Sequence, residues 1–393
     1  AFSPKNDAKY FSPSHDYIVV YTKELSKFNI GKLPRTQEMN ERYKNPDNDP
    51  NGPWQSGDLT AKTYSADYDY PIKTPSGKIV TPTSGRSWIT SREKMQQWID
   101  EGRIWFGANG DNTPRYKRYL NDMTDGIVPV TLWKYEDVGH SQEGRQELKK
   151  LFDGEGYFDG PKPIRLLNRM LRIANLKTDS IILDFFSGSA TTAHAVMQFN
   201  AEDDGHRKFI MVQWPEICDG KSAACKAGYK NICEIGKERI RRAGEKIKEE
   251  SPMTTQDLDV GFRVLKLDDT NMEDVYYSAQ EYDQGMLQHM ESNIKPDRTD
   301  LDLLFGCLLE WGLPLSMPYR SEQVEGCTVH TYNDGDLIAC FDENIPESVI
   351  REIAKRKPLR AVFRDSGFAT SPEKINVGEI FKLLAPDTRV KVI

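Results

Sequence analysis

Residues 181–192, Ile-Ile-Leu-Asp-Phe-Phe-Ser-Gly-Ser-Ala-Thr-Thr, constrain the fold of this chain more than any other stretch. A short apolar strand, 181–183, ends in an acid, Asp184. Small residues then turn the chain, and a helix is predicted from Thr191 to Phe199. Small side chains let a ligand approach the backbone, and the N–H groups at a helix start favour polar or anionic ligand atoms. The next predicted strand, 208–213, leads to Glu216, the place where nucleotide-type α/β sites put an acid that accepts from ribose hydroxyls. The competing reading is an ordinary strand–turn–helix of an α/β sheet. The coincidence of Asp184, the turn and Glu216 weighs against it.

This turn sits in a longer α/β alternation. Pro163 opens a helix carrying Ile164, Leu167, Met170 and Leu171 on one face, and a helix over 232–249 closes the unit. A Ser/Pro/Thr stretch at 251–256 and a predicted strand at 261–267 lead to a last module. There helices near 279–292 and 299–311 precede β (328–333), β (336–342), α (346–356), β (359–364), α (374–384) and β (388–393). Before residue 160 the texture differs. Residues 17–23, Tyr-Ile-Val-Val-Tyr-Thr-Lys, read as a buried strand, and 28–60 are polar and turn-rich. A hairpin is predicted around the Pro-Ser-Gly at 75–77. Thr90 and Glu93 read as a capping box for a helix that Gly102 stops, and 104–106 reads as a strand.

At 393 residues the chain has room for two to three domains. With 38% hydrophobic and 29% charged residues it is too apolar for disorder, and no run of about 18 apolar residues could span a bilayer. The net charge of −7 excludes a basic coat but not a local basic face. The six cysteines contain no CxxC pair, which points to reduced thiols in a reducing compartment. Cys218, Cys225 and Cys233 lack zinc spacing, and no metal site is expected. The Asp47–Asp58 stretch nearly matches a calcium loop, but Pro46, Pro50 and Pro53 favour a turn cluster. His140 beside Ser141 has nothing to orient a third catalytic member. His194 is expected to be a satisfied, partly buried histidine, and Arg239, Arg241 and Arg242 to pair with glutamates on their own helix.

The residues around Asp184 resemble a known family. Asp184, Phe185, Phe186, Ser187, Gly188, Ser189, Ala190, Thr191 and Thr192 match the S-adenosylmethionine-binding motif (Asp-x-Phe-x-Gly-Ser-Gly-Thr-Thr) of the β-group DNA amino-methyltransferases. Ala190 replaces the second glycine, which stiffens the turn and adds a methyl near the cofactor. Upstream, Lys162, Pro163 and Leu167 match that family's Lys-Pro-x-x-Leu segment, which packs beside the methionine part of the cofactor. Asn51–Trp54, Thr74–Gly77, Arg103–Gly107, Lys117–Leu120, Val138–Ser141, Ile235–Ile240 and Phe341-Asp342 together resemble the modification subunit of Type III restriction–modification systems, over nearly the whole chain.

The resemblance implies a Rossmann-like half-domain of an S-adenosylmethionine-dependent methyltransferase, with an inserted mixed α+β target-recognition region and a separate C-terminal α/β domain. The implied boundaries are 1–27 for the end of the catalytic subdomain, 28–150 for target recognition, 151–270 for cofactor binding, and 271–393 for dimer or restriction-subunit contact. Cofactor residues would be Lys162, Pro163, Leu167, Asp184–Thr191 and Glu216. The implied activity is site-specific adenine-N6 methylation of double-stranded DNA, by a homodimer that associates with a helicase–nuclease restriction subunit in the bacterial cytoplasm. No catalytic residue is assigned, because the family's box (Asp, Asn or Ser, then Pro-Pro, then Tyr, Phe or Trp) does not occur; Ser316–Tyr319 comes nearest. That box cradles a flipped adenine. The expectation is therefore a C-terminal fragment, inactive alone.

For DNA contact, residues 86–118 hold seven basic residues against four acidic ones, interleaved with Trp88, Trp105 and Tyr116. Arg86 and Arg103 are candidates, with Arg115, Lys117 and Arg118 expected as a group on a loop after Gly110 and Pro114. Two other readings stay open. One is a non-catalytic DNA-recognition and assembly module. The other is a dinucleotide enzyme, against which the absence of GxGxxG counts.

Overall fold

The computed structural model describes residues 9–11, 15–123, 126–273, 293–368 and 370–393. The chain divides into two compact units, Ala1–Gly261 and Phe262–Ile393.

In the first unit, strands Trp54–Gly57, Arg115–Tyr119 and Ile104–Trp105 form an antiparallel sheet with Arg115–Tyr119 in the middle. Beside it, Leu59, Tyr70, Ile72, Trp88, Met95, Ile104 and Phe106 make one core, in which Trp88 Nε1 donates to the Tyr70 carbonyl at 2.8 Å. The expected hairpin pairs Ile72–Lys73 with Ile79–Val80, and Gly77 at φ +90 closes the turn with its N–H on the Thr74 carbonyl. Helix Arg92–Asp100 starts one residue later than the capping reading had it. Ser91 is the cap and accepts from Lys94 N, while the Thr90 carbonyl takes the Tyr70 hydroxyl.

The α/β part of this unit is built on two parallel strands, Ile181–Asp184 and Lys208–Met211. Helices Ile164–Ile173 and Thr191–Asp203 bury one face of the pair, where Ile182 and Phe209 meet Leu167, Leu171, Ala195 and Val196. Helix Ile232–Glu250 packs on Thr191–Asp203. Strand alternation puts Ile181, Leu183 and Ile210 on the other face, where each is more than half exposed.

The second unit carries a five-stranded sheet in the order Tyr319–Val324, Cys327–Tyr332, Leu337–Cys340, Arg360–Phe363, Arg389–Val392. The first three strands run antiparallel and the last two join in parallel. Helices Glu347–Lys355 and Ser371–Leu384 cover one face. Helix Asp300–Glu310, with the Thr299/Asp302 capping box, contributes Leu303, Leu304 and Leu308 to the other.

Two expectations fail, and one strand is unforeseen. Residues 17–23 form no strand and are exposed throughout. Their β-branched and aromatic residues favour a strand, but a strand also needs a ladder partner and a face to bury, and the described residues give them neither. Residues 261–267 likewise make no strand; Arg263 instead reaches the carbonyls of Leu315 and Met317. The edge strand Tyr319–Val324 was not anticipated, because its polar sequence lacks an apolar alternation. The helix expected near 279–292 lies outside the described residues.

Candidate functional site

The turn after Ile181–Asp184 is bent by two left-handed residues, Gly188 at φ +51 and Ala190 at φ +58. Glycine takes that region without strain, whereas a Cβ costs about 1 kcal/mol there. The extra methyl of Ala190 is buried and lies against Gly236 of helix Ile232–Glu250, whose own Cβ position is 3.6 Å away. The turn is anchored to the second strand: Ser187 N donates to the Val212 carbonyl at 3.1 Å, and Gly188 N to Gln213 Oε1 at 2.7 Å. On its other side stands Phe158, whose ring would be 3.1 Å from a Cβ at Gly188. The segment leading to Lys162 and Pro163 thus lies beside the turn.

Helix Thr191–Asp203 begins here without a side-chain cap, since its N-cap residue is Ala190. The first-turn amides therefore lack the usual internal acceptor and suit a polar or anionic ligand. Asp184 closes the base of the turn by accepting from Thr192 Oγ1 at 2.5 Å. Phe185, Phe186 and Trp214 stand exposed at the strand ends, offering apolar surface to a planar ring. Glu216 is exposed, and its carboxylate has no hydrogen-bond or ion-pair partner among the described residues. Lys162 is exposed and pairs with Asp16 at 3.2 Å; Pro163 caps helix Ile164–Ile173; Leu167 is spent on the core behind the strands. This donor set of backbone amides, an acid, apolar rings and a close-approach glycine fits S-adenosylmethionine.

Behind the turn lie groups that the sequence reading misassigned. Arg239 does not pair within its helix. It is fully buried, and its Nη1 donates to Ser189 Oγ at 2.9 Å and Thr191 Oγ1 at 2.6 Å. Its place on the apolar seam with Ile235, Ala243 and Ile247 was the available signal. Arg241 and Arg242 do pair with Glu238. His194 is buried, and its Nδ1 has no hydrogen-bond partner among the described residues. Burial, then the charges of Arg239 and Lys246, hold its pKa down to about 3, so it is a neutral ring. Gln213 and Phe158 were missed because neither residue type advertises such a role.

The candidate DNA residues separate sharply. Arg115, Lys117 and Arg118 lie on the central strand rather than a loop. Lys117 is buried: its Nζ is 2.6 Å from Asp47 and 2.5 Å from Asp49, between the rings of Trp54 and Trp105. The sequence reading discounted the Asp47–Asp58 stretch as a turn cluster, and these aspartates prove to be the counter-charges of a buried lysine. Arg103 binds Asp122 at 2.6 Å and stacks on Tyr119. Arg86 and Arg115 flank Asp58 at 3.9 and 3.7 Å. Arg118 is exposed and has no ion pair among the described residues. The second unit holds a cluster that spacing did not suggest, Cys327, Cys340 and Asp342, with donor atoms within 4.8 Å of one another. Burial raises both thiols, Cys340 to about 12, and Asp342 already accepts from Thr328 N.

The profile of a DNA methylase family matches residues 1–243. The Mod subunit of the Type III restriction-modification enzyme StyLTI from Salmonella typhimurium is 34% identical over 262 residues, 66% of this chain and 38% of that protein. The EcoPI Mod subunit of Escherichia phage P1 is 27% identical, covering 82% of this chain and 52% of that protein. The EcoP15I Mod subunit of Escherichia coli is 27% identical, covering 97% and 62%. The chain thus spans between 38% and 62% of the length of these relatives. With the family matched over more than half its length, the chain belongs to the DNA methylases, and its similarity runs to the modification subunits of Type III restriction-modification enzymes.

Proposed function

We propose that the chain holds S-adenosylmethionine on the turn from Asp184 to Thr191 and serves site-specific N6 methylation of adenine in double-stranded DNA. It does so as part of the modification and recognition subunit of a Type III restriction–modification system. The observation that carries this reading is the uncapped helix start behind two left-handed residues, framed by Phe158 and Gln213.

When bound, the cofactor supplies the methyl group of its sulfonium. This chain's own contribution is positioning. The amides of the turn and the first helical residues hold polar atoms, Phe185, Phe186 and Trp214 shield an aromatic ring from water, and Glu216 accepts from sugar hydroxyls. Arg118, Arg115, Arg86 and Arg103 contact DNA phosphates, the three paired ones by exchanging carboxylate partners.

The adenine cradle is not supplied by these residues. Ser316–Tyr319, the nearest match to its sequence, is used structurally: Met317 N donates to Tyr332 Oη, and Tyr319 opens an edge strand. The chain alone is therefore a cofactor-holding, DNA-recognition and assembly module without turnover. The exposed apolar face of the parallel strands favours this reading, because parallel sheets are covered on both faces. The second unit makes the dimer or restriction-subunit contact, and the assembly works in the bacterial cytoplasm. No helix among the described residues is long and apolar enough to cross a membrane.

The test is transfer of labelled methyl from S-adenosylmethionine to DNA, by this chain and by the gene product at its native length, with the modified base identified by mass spectrometry. The expected result is N6-methyladenine from the native-length protein alone. Turnover by this chain would overturn the claim that the adenine box is essential, and a methylated cytosine would overturn the choice of base. Binding of a nicotinamide dinucleotide in place of S-adenosylmethionine would overturn the cofactor.

A further inference from the structure

Most arginines elsewhere in this chain pair with a carboxylate, the buried Arg207 with Asp203 among them, whereas Arg239 is fully buried and has no carboxylate within 4 Å among the described residues. Its Nε has no hydrogen-bond partner among the described residues. Taking a guanidinium out of water is costly, and a leucine or methionine would fill the same space without that cost. Stability alone does not call for an arginine here.

We propose that Arg239 is a positioning residue that sets the shape of the methyl-donor turn. The inference rests on the S-adenosylmethionine reading above. Nη1 has two protons, and it meets two hydroxyl oxygens, Ser189 Oγ and Thr191 Oγ1. These residues flank Ala190, the non-glycine held at φ +58. One guanidinium nitrogen therefore grips both shoulders of a bend that the related motif makes with glycine. The hydroxyls are themselves buried, so their bonds are directed inward to the arginine rather than outward to ligand.

The start of the second cofactor segment is held separately, by Glu147. It lies on helix Ser141–Leu151, and its Oε2 accepts from Ile164 N at 2.9 Å, the first residue of the helix that follows Lys162 and Pro163. Burial raises the Glu147 carboxyl and lowers the Arg239 guanidinium, while the two charges favour each other. The acid thus holds the Lys162-Pro163 helix start, and the arginine holds the turn.

The experiment uses the native-length protein and compares wild type with Arg239→Met, Arg239→Lys, Thr191→Val and the double variant Arg239→Met/Thr191→Val. It reads KM for S-adenosylmethionine, KM for DNA, kcat and melting temperature. Arg239→Met is expected to raise KM for S-adenosylmethionine at least tenfold while KM for DNA stays within twofold, and Arg239→Lys to recover part of that loss. Thr191→Val is expected to weaken the same step, and the double variant to lose little more than Arg239→Met alone. A general loss of stability would lower the active fraction, and so apparent kcat, without moving KM. A folded Arg239→Met protein whose KM for S-adenosylmethionine stays within twofold of wild type overturns the inference, as does full additivity in the double variant. If Arg239→Met does not fold, Ser189→Ala/Thr191→Val carries the test, since it removes only the two acceptor oxygens; an unchanged KM there also overturns the inference. Wild type that fails to bind S-adenosylmethionine overturns instead the reading on which the inference rests.

Discussion

The two sheets that carry the α/β character of this chain are finished to different degrees. In the second unit, the three central strands of the sheet are covered on both faces, with Phe363 and Val329 in one core and Leu337 and Val362 in the other. In the first unit, the parallel pair is covered on one face only, and Ile181, Leu183 and Ile210 look out into solvent with Phe185 and Phe186 beyond them. The second unit has used its apolar residues for its own stability. The first has apolar surface left over, and it lies on the strands that end at the proposed cofactor turn. A parallel pair open on one side is an incomplete layer.

The largest test of this contrast is a pair of core truncations. Phe363→Ala is expected to destabilise the second unit by about 3–5 kcal/mol. Leu183→Ala, on the open face, is expected to cost less than about 1 kcal/mol in this chain. Denaturant unfolding of both variants reads the difference, and a Leu183 cost near that of Phe363 would mean that the face is already covered.

The second test contrasts two basic neighbours on one strand. Lys117→Met leaves buried Asp49 and half-buried Asp47 without their cation and is expected to cost about 3 kcal/mol. Arg118→Ala is expected to leave stability within about 0.5 kcal/mol and to weaken DNA binding in a salt-dependent way. Acid unfolding sharpens the comparison. Burial pushes the Asp49 carboxyl up, but Lys117, the Asn51 N–H and the Tyr119 hydroxyl outweigh it and bring its pKa down to about 2. A carboxylate lowered by folding stabilises fully above its unfolded value near 4, and that contribution is lost as pH falls towards 2. Lys117→Met should flatten this part of the pH profile.

The smallest effect is expected at Ala190. Ala190→Gly deletes a buried methyl but relieves a left-handed alanine, so stability should stay within about 0.5 kcal/mol. Ala193→Gly, inside the following helix, has no such relief and should lose about 1 kcal/mol or more by thermal unfolding.

What the sequence made legible was mostly local. The strand–turn–helix at 181–203, the hairpin at 72–80 and the α/β order of the second unit follow from apolar periodicity and turn residues, which act within a few positions. Lys117 shows where that stops. As one of seven basic residues in 33 it looked like a phosphate contact, but its counter-charges lie about 70 residues upstream and only the sheet pairing brings them together. Arg239 was hidden by the opposite problem: glutamates at helical spacing offered a ready partner, while the groups it binds are 48 and 50 residues away. Residues 17–23 misled because strand propensity says nothing of a strand's neighbours.

The central claim is that the amides after Ile181–Asp184 hold the methyl donor. The most direct measurement is a crystal structure of the native-length protein grown with S-adenosylmethionine. The expected density lies along Ser187–Thr191, with the ribose against the Glu216 carboxylate. Density elsewhere in the molecule, or Glu216 turned from the sugar, would contradict it.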